Sequence, residues 1–115
     1  MNEKVYTLKE IIDICTPILK KYNIKKAYIF GSYARGEATE KSDIDIMIKT
    51  TGSNILSLLN LSNLEIELEE KLEKVVDIVI EETYTDEINN EDIYGTLAKK
   101  MFYKEVVKDR SVVYD

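Results

Sequence analysis

Two aspartates two positions apart have the clearest capacity for chemistry in this sequence. Asp43 and Asp45 lie in the segment 43–48 (DIDIMI), which is typical of a β-strand. Side chains alternate between the faces of a strand, so both carboxylates point the same way, about 6.5 Å apart at a rise of about 3.3 Å per residue. Two such carboxylates repel each other unless a cation lies between them, and Mg²⁺ prefers one or two carboxylates together with phosphate oxygens. The pair therefore predicts a site where metal ions hold a phosphate-bearing ligand.

A glycine-serine pair ends the strand predicted before these aspartates. The apolar run 27–30 (AYIF) is followed by Gly31 and Ser32. Glycine lets the backbone approach a ligand closely, and serine is a favoured N-cap residue whose hydroxyl can also bind a phosphate oxygen. A short helix starting here would direct its N–H groups toward an anion, and Arg35 is near enough to add positive charge. Gly-Ser alone more often marks an ordinary strand–turn–helix corner, but together with the aspartates it favours a phosphate site.

A third acid interrupts an otherwise apolar strand. Asp77 lies in the segment 75–80 (VVDIVI), which is rich in β-branched residues. A buried carboxylate is costly unless it is paired, protonated or bound to metal. Two interpretations stay open: Asp77 lies at a strand end in water, or it meets Asp43 and Asp45 from a neighbouring strand.

The composition excludes several classes of function. The chain has no histidine, which rules out Ser-His-Asp and Cys-His catalysis, HExxH zinc sites and a histidine base. A net charge of −6 disfavours a broad nucleic-acid-binding surface. The single cysteine, Cys15, forms no intrachain disulfide and is predicted to lie in the core, so we expect a reducing cytoplasm. There is no signal-peptide pattern and no apolar run of membrane-spanning length, and we expect one domain over residues 1–115.

The first half of the chain predicts two amphipathic helices around these strands. A helix over about 7–22 begins with a capping box formed by Thr7 and Glu10, and Pro17 should kink or split it. A long helix starts after Ser53 or Asn54 and runs to about residue 74, with a Glu70–Lys74 ion pair and leucines at helical spacing. Its front, residues 55–61, is more apolar than one helix face requires and is a candidate contact surface.

The second half predicts a loop, a helix and a strand. The acidic segment 81–92 has no apolar period and is predicted to be an exposed loop. A helical stripe follows, comprising Ile93, Tyr94, Leu97, Ala98, Met101, Phe102 and Val106. Residues 111–114 predict a short closing strand or a tail packed against the sheet. The resulting order of elements predicts an α/β (α+β) fold with a small mixed β-sheet flanked by helices.

The stretch 31–48 (GSYARGEATEKSDIDIMI) resembles the signature of the polymerase-β-like nucleotidyltransferases. Gly31 and Ser32, ten intervening residues and then Asp43 and Asp45 match that signature, and the fuller string is similar to the minimal nucleotidyltransferase (MNT) branch. Family members carry a third acid on the strand after the long helix, a position that Asp77 matches. They often have a glycine just before that strand, where this chain departs from the pattern.

The resemblance implies a polymerase-β-like nucleotidyltransferase core, a reaction and a set of roles. The three aspartates hold two Mg²⁺ ions (or Mn²⁺), and ATP is the nucleotide. Asp77 helps orient or deprotonate the acceptor hydroxyl, and the nucleotide is bound by Gly31, Ser32, Arg35 and Ser42.

The resemblance also implies a partner, because almost the whole chain is catalytic core. Many MNT proteins are antitoxins that adenylylate a tyrosine of a HEPN-domain ribonuclease toxin, so we expect a hetero-oligomer with such a toxin. Two alternatives stay open: an antitoxin that neutralises its toxin by binding alone, and a nucleotidyltransferase acting on RNA or a small molecule.

Overall fold

A four-stranded mixed sheet organises the chain in the computed structural model, which describes residues 3–85 and 93–114. The sheet order is β3-β2-β1-β4; β2 and β3 are parallel, and the other two pairs are antiparallel. This architecture confirms the predicted fold class. The elements are α1 (Leu8–Lys21), β1 (Lys26–Phe30), α2 (Ser32–Arg35), β2 (Ile44–Lys49), α3 (Leu58–Leu72), β3 (Val76–Ile80), α4 (Glu82–Thr85), α5 (Ile93–Asp109) and β4 (Ser111–Tyr114).

The two faces of the sheet have different partners. Alternation along β2 sends its three isoleucines into the main core, against α1 and α3. The other face forms a smaller cluster that α5 covers through Val106. The residues of that cluster on the strands include Tyr28, Phe30 and Met47. Because Asp45 alternates with the isoleucines and pairs with Phe30, its side chain lies on this second face.

Helix α1 confirms its predicted start but not a break. Thr7 and Glu10 form the expected capping box. Pro17 lies inside one continuous helix, so the predicted split is wrong. Just before the proline, the hydroxyl of Thr16 donates to the carbonyl of Ile12 at 2.6 Å. A stripe of buried side chains packs the helix against the core. That stripe, Ile11, Cys15, Ile18 and Leu19, confirms Cys15 as a core residue; burial raises the pKa of its thiol to about 12.

Helix α3 begins later and ends earlier than predicted. Its N-cap is Ser57, whose hydroxyl accepts from the backbone N–H of Asn60 at 3.2 Å. Ser53, one of the two predicted caps, instead accepts from Ile55 N–H, and its neighbour Asn54 also precedes the helix. Sequence pattern could not separate these candidates, because several serine and asparagine side chains before the helix offer a similar cap.

The C-terminal end of α3 explains why the predicted Glu70–Lys74 ion pair is wrong. The helix ends at Leu72, and Glu73 adopts a left-handed conformation with φ 53°. Lys74 therefore lies outside helical geometry, where residues four apart no longer face each other. Its ammonium donates to the backbone carbonyl of Glu40 at 2.7 Å instead.

Much of the apolar segment 55–61, the candidate contact surface that leads into the first turn of α3, is exposed. Leu56, Leu58 and Leu59 are all largely exposed, whereas Ile55 is buried. The segment follows the C-terminal end of β2, so it lies at the opposite end of that strand from Asp45.

The segment after β3 differs from the exposed loop predicted over residues 81–92. Glu81 is buried, and α4 follows directly. The acidic composition did not reveal that Glu81 has a cationic partner, Arg110, almost thirty residues later in the chain. Residues 86–92 lie outside the described residues.

Helix α5 confirms the predicted helix but packs only in part. Val106 is buried, whereas Leu97, Met101 and Phe102, which the pattern placed on the same stripe, are exposed. The side chains of residues 93–96 lie outside the described part. Strand β4 closes the sheet against β1, as predicted. None of the described helices is long and apolar enough to cross a membrane.

Candidate active site

Two of the three predicted acids face each other across neighbouring strands. β2 and β3 run parallel in a register that pairs Asp45 with Asp77. Adjacent strands are about 4.8 Å apart, and paired residues share a face, so the two carboxylates are neighbours. Strand β2 begins at Ile44, one position later than predicted, so Asp43 directly precedes the strand. The three acids therefore cluster where β2 and β3 begin.

The electrostatics of Asp45 reflect this crowding. Burial first, and then repulsion from Asp77 and Asp43, raise the pKa of the Asp45 carboxyl to about 6, while Arg35 acts in the opposite direction. None of the three acids forms an ion pair or hydrogen bond with a described residue. Asp77 is exposed to water near the start of β3, and it also stands beside Asp45 of the neighbouring strand.

Gly31 lies so close to this cluster that no other residue fits. It has φ 73° and ψ −151°, a region that residues with a Cβ rarely adopt. A Cβ built on Gly31 would lie 2.2 Å from Asp45 Oδ2. The turn thus brings the backbone directly against the central carboxylate.

Ser32 begins α2 rather than capping it. The N-cap is Gly31, which makes no side-chain cap, so the predicted N-cap role of Ser32 is wrong by one position. The N–H of Arg35 bonds back to the carbonyl of Gly31 at 3.1 Å, and Gly36 closes the helix in a left-handed conformation. Ser32 still lies at the first turn, where a helix presents N–H groups without intrahelical partners.

The remaining predicted nucleotide ligands have partners of their own. Arg35 Nε donates to Glu37 at 3.1 Å, and its side chain is partly exposed. The hydroxyl of Ser42 accepts from the N–H of Thr39 at 2.8 Å, which stabilises the turn just before Asp43. Arg35 therefore acts on the acids through its charge, and Ser42 supports the loop that carries one of them.

Lys74 is a supporting residue that sequence reasoning missed. Its side chain is only 3% exposed, and its bond to Glu40 fastens the loop before Asp43. The next residue, Val75, accepts from the N–H of Ile44 at 3.0 Å, so both anchor the start of β2. The only available signal was that Lys74 follows the end of the leucine stripe, where a side chain can turn inward.

The donor chemistry of the cluster suits a hard divalent cation, which carboxylate oxygens bind well. In the described parts of the chain, no three acidic, histidine or cysteine side chains stand close enough together to form a ready-made metal centre. The acids are therefore neighbouring carboxylates that differ in exposure, with Asp45 the most crowded. A cation would relieve the repulsion that raises the pKa of Asp45.

A comparison of the sequence with known protein families agrees with this arrangement. Residues 13–115 match the family described as polymerase beta, nucleotidyltransferase. The chain belongs to this nucleotidyltransferase family. The match includes the glycine turn and all three acids.

Individual relatives agree with the family assignment. A Methanocaldococcus jannaschii protein, provisionally named a protein adenylyltransferase, is 38% identical over 101 residues, covering 87% of this chain and 92% of its own length. The protein adenylyltransferase MntA of Thermococcus cleftensis is 40% identical over 78 residues, covering 64% and 77%.

A solved structure shares the nucleotidyltransferase fold. It is the tri-AMPylated Shewanella oneidensis HEPN toxin in complex with an MNT antitoxin, with a TM-score of 0.60. The matched chain is 18% identical, and the match covers 92% of this chain and 71% of that one. At this identity the likeness concerns the fold.

Proposed function

We propose that this nucleotidyltransferase transfers AMP from ATP to a tyrosine hydroxyl of a partner protein and releases pyrophosphate. The observation that carries the proposal is the pairing of Asp45 with Asp77 beside the close approach of Gly31. Relatives at 38% and 40% identity that are named protein adenylyltransferases support a protein as the acceptor. The partner is a HEPN-domain ribonuclease toxin, and this chain is its antitoxin, in a hetero-oligomer located in the cytoplasm.

Three carboxylates, Asp43, Asp45 and Asp77, are the metal ligands in this proposal. They suit two Mg²⁺ ions, with Mn²⁺ as the alternative, because both are hard cations that bind carboxylate and phosphate oxygens. When bound, the ions neutralise the charge of the triphosphate and favour ionisation of the acceptor hydroxyl. Since the pKa of Asp45 is about 6, this ligand is largely ionised at neutral pH.

The glycine turn is the phosphate-binding part. Gly31 has no side chain, so its backbone lies directly against the Asp45 carboxylate, and a phosphate bound at the turn would lie beside that carboxylate. The Ser32 hydroxyl and the first N–H groups of α2 bind the β and γ phosphates. Arg35 adds positive charge, and Ser42 positions the loop that ends at Asp43.

Asp77 serves the acceptor side because it is exposed and, unlike Asp43 and Asp45, lies on the edge strand β3. A tyrosine side chain can reach it without crossing the rest of the sheet. Asp77 orients the hydroxyl and accepts its proton. The new bond joins the tyrosine oxygen to the α-phosphorus, and the bond from that phosphorus to the bridging oxygen breaks as pyrophosphate leaves.

Intact mass spectrometry tests this function. The purified chain is incubated with ATP, Mg²⁺ and the product of the gene adjacent to its own, and we expect the partner to gain one or more AMP units. The double variant Asp43→Ala, Asp45→Ala is the control, and the gain should disappear with it. Absence of transfer with the wild-type chain would contradict the proposal.

The same variant separates catalysis from simple binding. If growth inhibition by the partner is still relieved by Asp43→Ala, Asp45→Ala while the complex persists, neutralisation does not depend on transfer. Loss of relief with the complex intact would support the adenylyltransferase.

A further inference from the structure

The first half of α5 leaves an apolar surface uncovered. Leu97, Met101 and Phe102 are 55%, 61% and 38% exposed, and we call these three residues the α5 surface. Residues four apart on a helix are neighbours, so Leu97 and Met101 lie side by side. Phe102, one position after Met101, lies further round the helix, where its ring contacts Phe30. Large apolar side chains that are exposed together, rather than singly, are typical of an interaction site.

This helix is firmly attached at its other end. Val106 is buried against the sheet, and Tyr103 donates to Glu81 Oε2 at 3.0 Å. Arg110, just after the helix, donates to the same oxygen at 2.7 Å. The exposed half is therefore presented by an anchored helix, and its position relative to the sheet is set.

The α5 surface borders the candidate active site. The Phe102 ring stands edge-on to Phe30 with 6.0 Å between centroids, and Phe30 is the strand partner of Asp45. The exposed leucines just before and at the start of α3, Leu56, Leu58 and Leu59, lie toward the opposite end of β2. A protein bound to the α5 surface would be next to the acids that must receive its hydroxyl.

Charge indicates the kind of segment that fits. Helix α5 carries four lysines against two acidic residues, in a chain whose net charge is −6. Lys100 and Lys104 each follow an apolar residue of the surface by three positions, and neither forms an ion pair with any part of the chain that the structure describes. An apolar segment flanked by carboxylates would complement this arrangement.

We propose that the α5 surface docks the protein substrate of the adenylyl transfer, through an apolar segment with acidic neighbours. This rests on the proposed function, because it takes the partner to be the protein that supplies the acceptor hydroxyl. The apolar pair favours a protein over RNA as the occupant, since lysines alone would suffice for phosphates.

The test compares two exposed apolar pairs at opposite ends of the molecule. The variant Leu97→Glu, Met101→Glu changes the α5 surface, and Leu56→Glu, Leu59→Glu is the matched control. Affinity for the product of the adjacent gene is measured by titration calorimetry, and AMP transfer by intact mass. Binding of ATP with Mg²⁺ is measured separately, and circular dichroism checks folding.

We expect the α5 variant to weaken partner binding by about tenfold or more and to slow transfer similarly, with ATP affinity unchanged. The control should bind like the wild type. Lys100→Glu, Lys104→Glu should weaken binding too, and most at low salt. Leu97→Ala, Met101→Ala repeats the test with a milder change if the glutamates impair folding.

The outcomes separate this proposal from the proposed function. If the wild-type chain binds without transferring AMP and the α5 variant loses binding, the surface assignment stands and the enzymatic function fails. Unchanged binding by the α5 variant, loss of binding by the control alone, self-association through α5, or capture of RNA instead of the protein would each overturn the surface assignment. Absence of any binding by the wild type would overturn both.

Discussion

Acidic residues at the two ends of strand β3 have opposite environments: those at its start lack hydrogen-bond donors, and those just after its end have them. At its start, Asp77 stands beside Asp45, and neither has an ion-pair partner among the described residues. Just after its end, Glu81 is buried against Arg110 at 2.7 Å, and Glu82 accepts the N–H groups of Thr50 and Thr51 at 2.9 and 2.6 Å. Three residues of chain separate Asp77, in the cluster of unpaired carboxylates, from Glu81, the first of two glutamates whose carboxylates have donors.

The pKa values express the same contrast. The pKa of Asp45 is raised to about 6 by burial and by the other acids. Burial also acts to raise the pKa of Glu82, but hydrogen bonds from Thr51 and Thr50 outweigh it and lower that pKa to about 2. Carboxylates that stabilise a fold accept hydrogen bonds from N–H or O–H donors. Carboxylates that lie together without such donors have oxygens available to bind a cation.

Removing the unpaired acids should have the largest effect. Asp45→Asn keeps the shape of the side chain but removes a charge that can bind a cation, so AMP transfer should fall by about a thousandfold or more. Transfer is followed by intact mass of the partner. Glu82→Gln is the matched control at the other end of the strand, and it should retain near wild-type transfer. Similar losses in both variants would erase the distinction between the two ends.

The glycine turn should be the next most sensitive position. Gly31→Ala forces a Cβ into Asp45 Oδ2 and strains a backbone with positive φ, so both stability and transfer should fall, the latter by about a hundredfold. Gly36→Ala is the control, because Gly36 has the same φ but nothing within 4 Å of the added Cβ.

Comparison of the two alanine variants separates strain from collision. Gly36→Ala should lose about 1 kcal/mol of stability in a denaturant titration and little activity. If it impairs transfer as much as Gly31→Ala does, the close approach to Asp45 has no special role.

Breaking the buried ion pair should destabilise the fold without affecting the chemistry. Glu81→Ala leaves Arg110 without its carboxylate in a largely buried position, which should cost about 3 kcal/mol of unfolding free energy. Urea denaturation measures this loss, and ATP binding below the transition should be unchanged. The double variant Glu81→Leu, Arg110→Met should recover part of the loss, because no buried charge remains unpaired.

Replacing Asp45 should also stabilise the chain. Its folded pKa is raised from the ordinary 3.8 to about 6, so its ionisation increasingly opposes folding as pH rises above 3.8, and the penalty is complete above about 6. Asp45→Asn removes that repulsion, and after allowance for solvent screening we expect a gain of about 1 kcal/mol at pH 7 without divalent cations. Thermal unfolding in the presence of a chelator measures it. A loss of stability would contradict the picture of crowded, unbonded acids.

Glu82 should show the opposite dependence on pH. Its folded pKa is lowered from 4.5 to about 2, so its stabilising contribution is complete above about 4.5 and is lost as pH falls toward 2. Glu82 is partly exposed, so the contribution is about 1 kcal/mol. Glu82→Gln should flatten this acid limb of the stability curve, measured by urea titrations between pH 2 and pH 7.

Local sequence pattern predicted the unpaired acids at the start of β3 well and the hydrogen-bonded glutamates just after its end poorly. Two short stretches of sequence were enough to predict the acid cluster: the spacing of Asp43 and Asp45, and the apolar strand around Asp77. Parallel pairing of β2 with β3 then brings these acids together. Glu81 looked like part of an acidic loop, because its partner Arg110 lies far along the chain. Contacts between such distant residues leave no periodic trace in either segment.

The helices also show that local sequence pattern predicts short-range contacts but not packing between distant elements. The capping box of α1 was predictable because both of its members lie within four residues. The stripe on α5 predicted a helix correctly but not what covers it, since Leu97 and Val106 look alike in sequence and differ only in where the helix meets the sheet. Burial depends on the crossing of α5 over the sheet, which the helical period does not encode.

The most direct test of the contrast is an NMR titration of the side-chain carboxyls with and without Mg²⁺. Without the ion, the Asp45 carboxyl should titrate near pH 6 and that of Glu82 near pH 2. Mg²⁺ should lower the pKa of Asp45 markedly and leave that of Glu82 unchanged, because only the unpaired cluster binds the cation. An ordinary pKa for Asp45, or no response of that carboxyl to Mg²⁺, would contradict the assignment of the acid cluster as the active site.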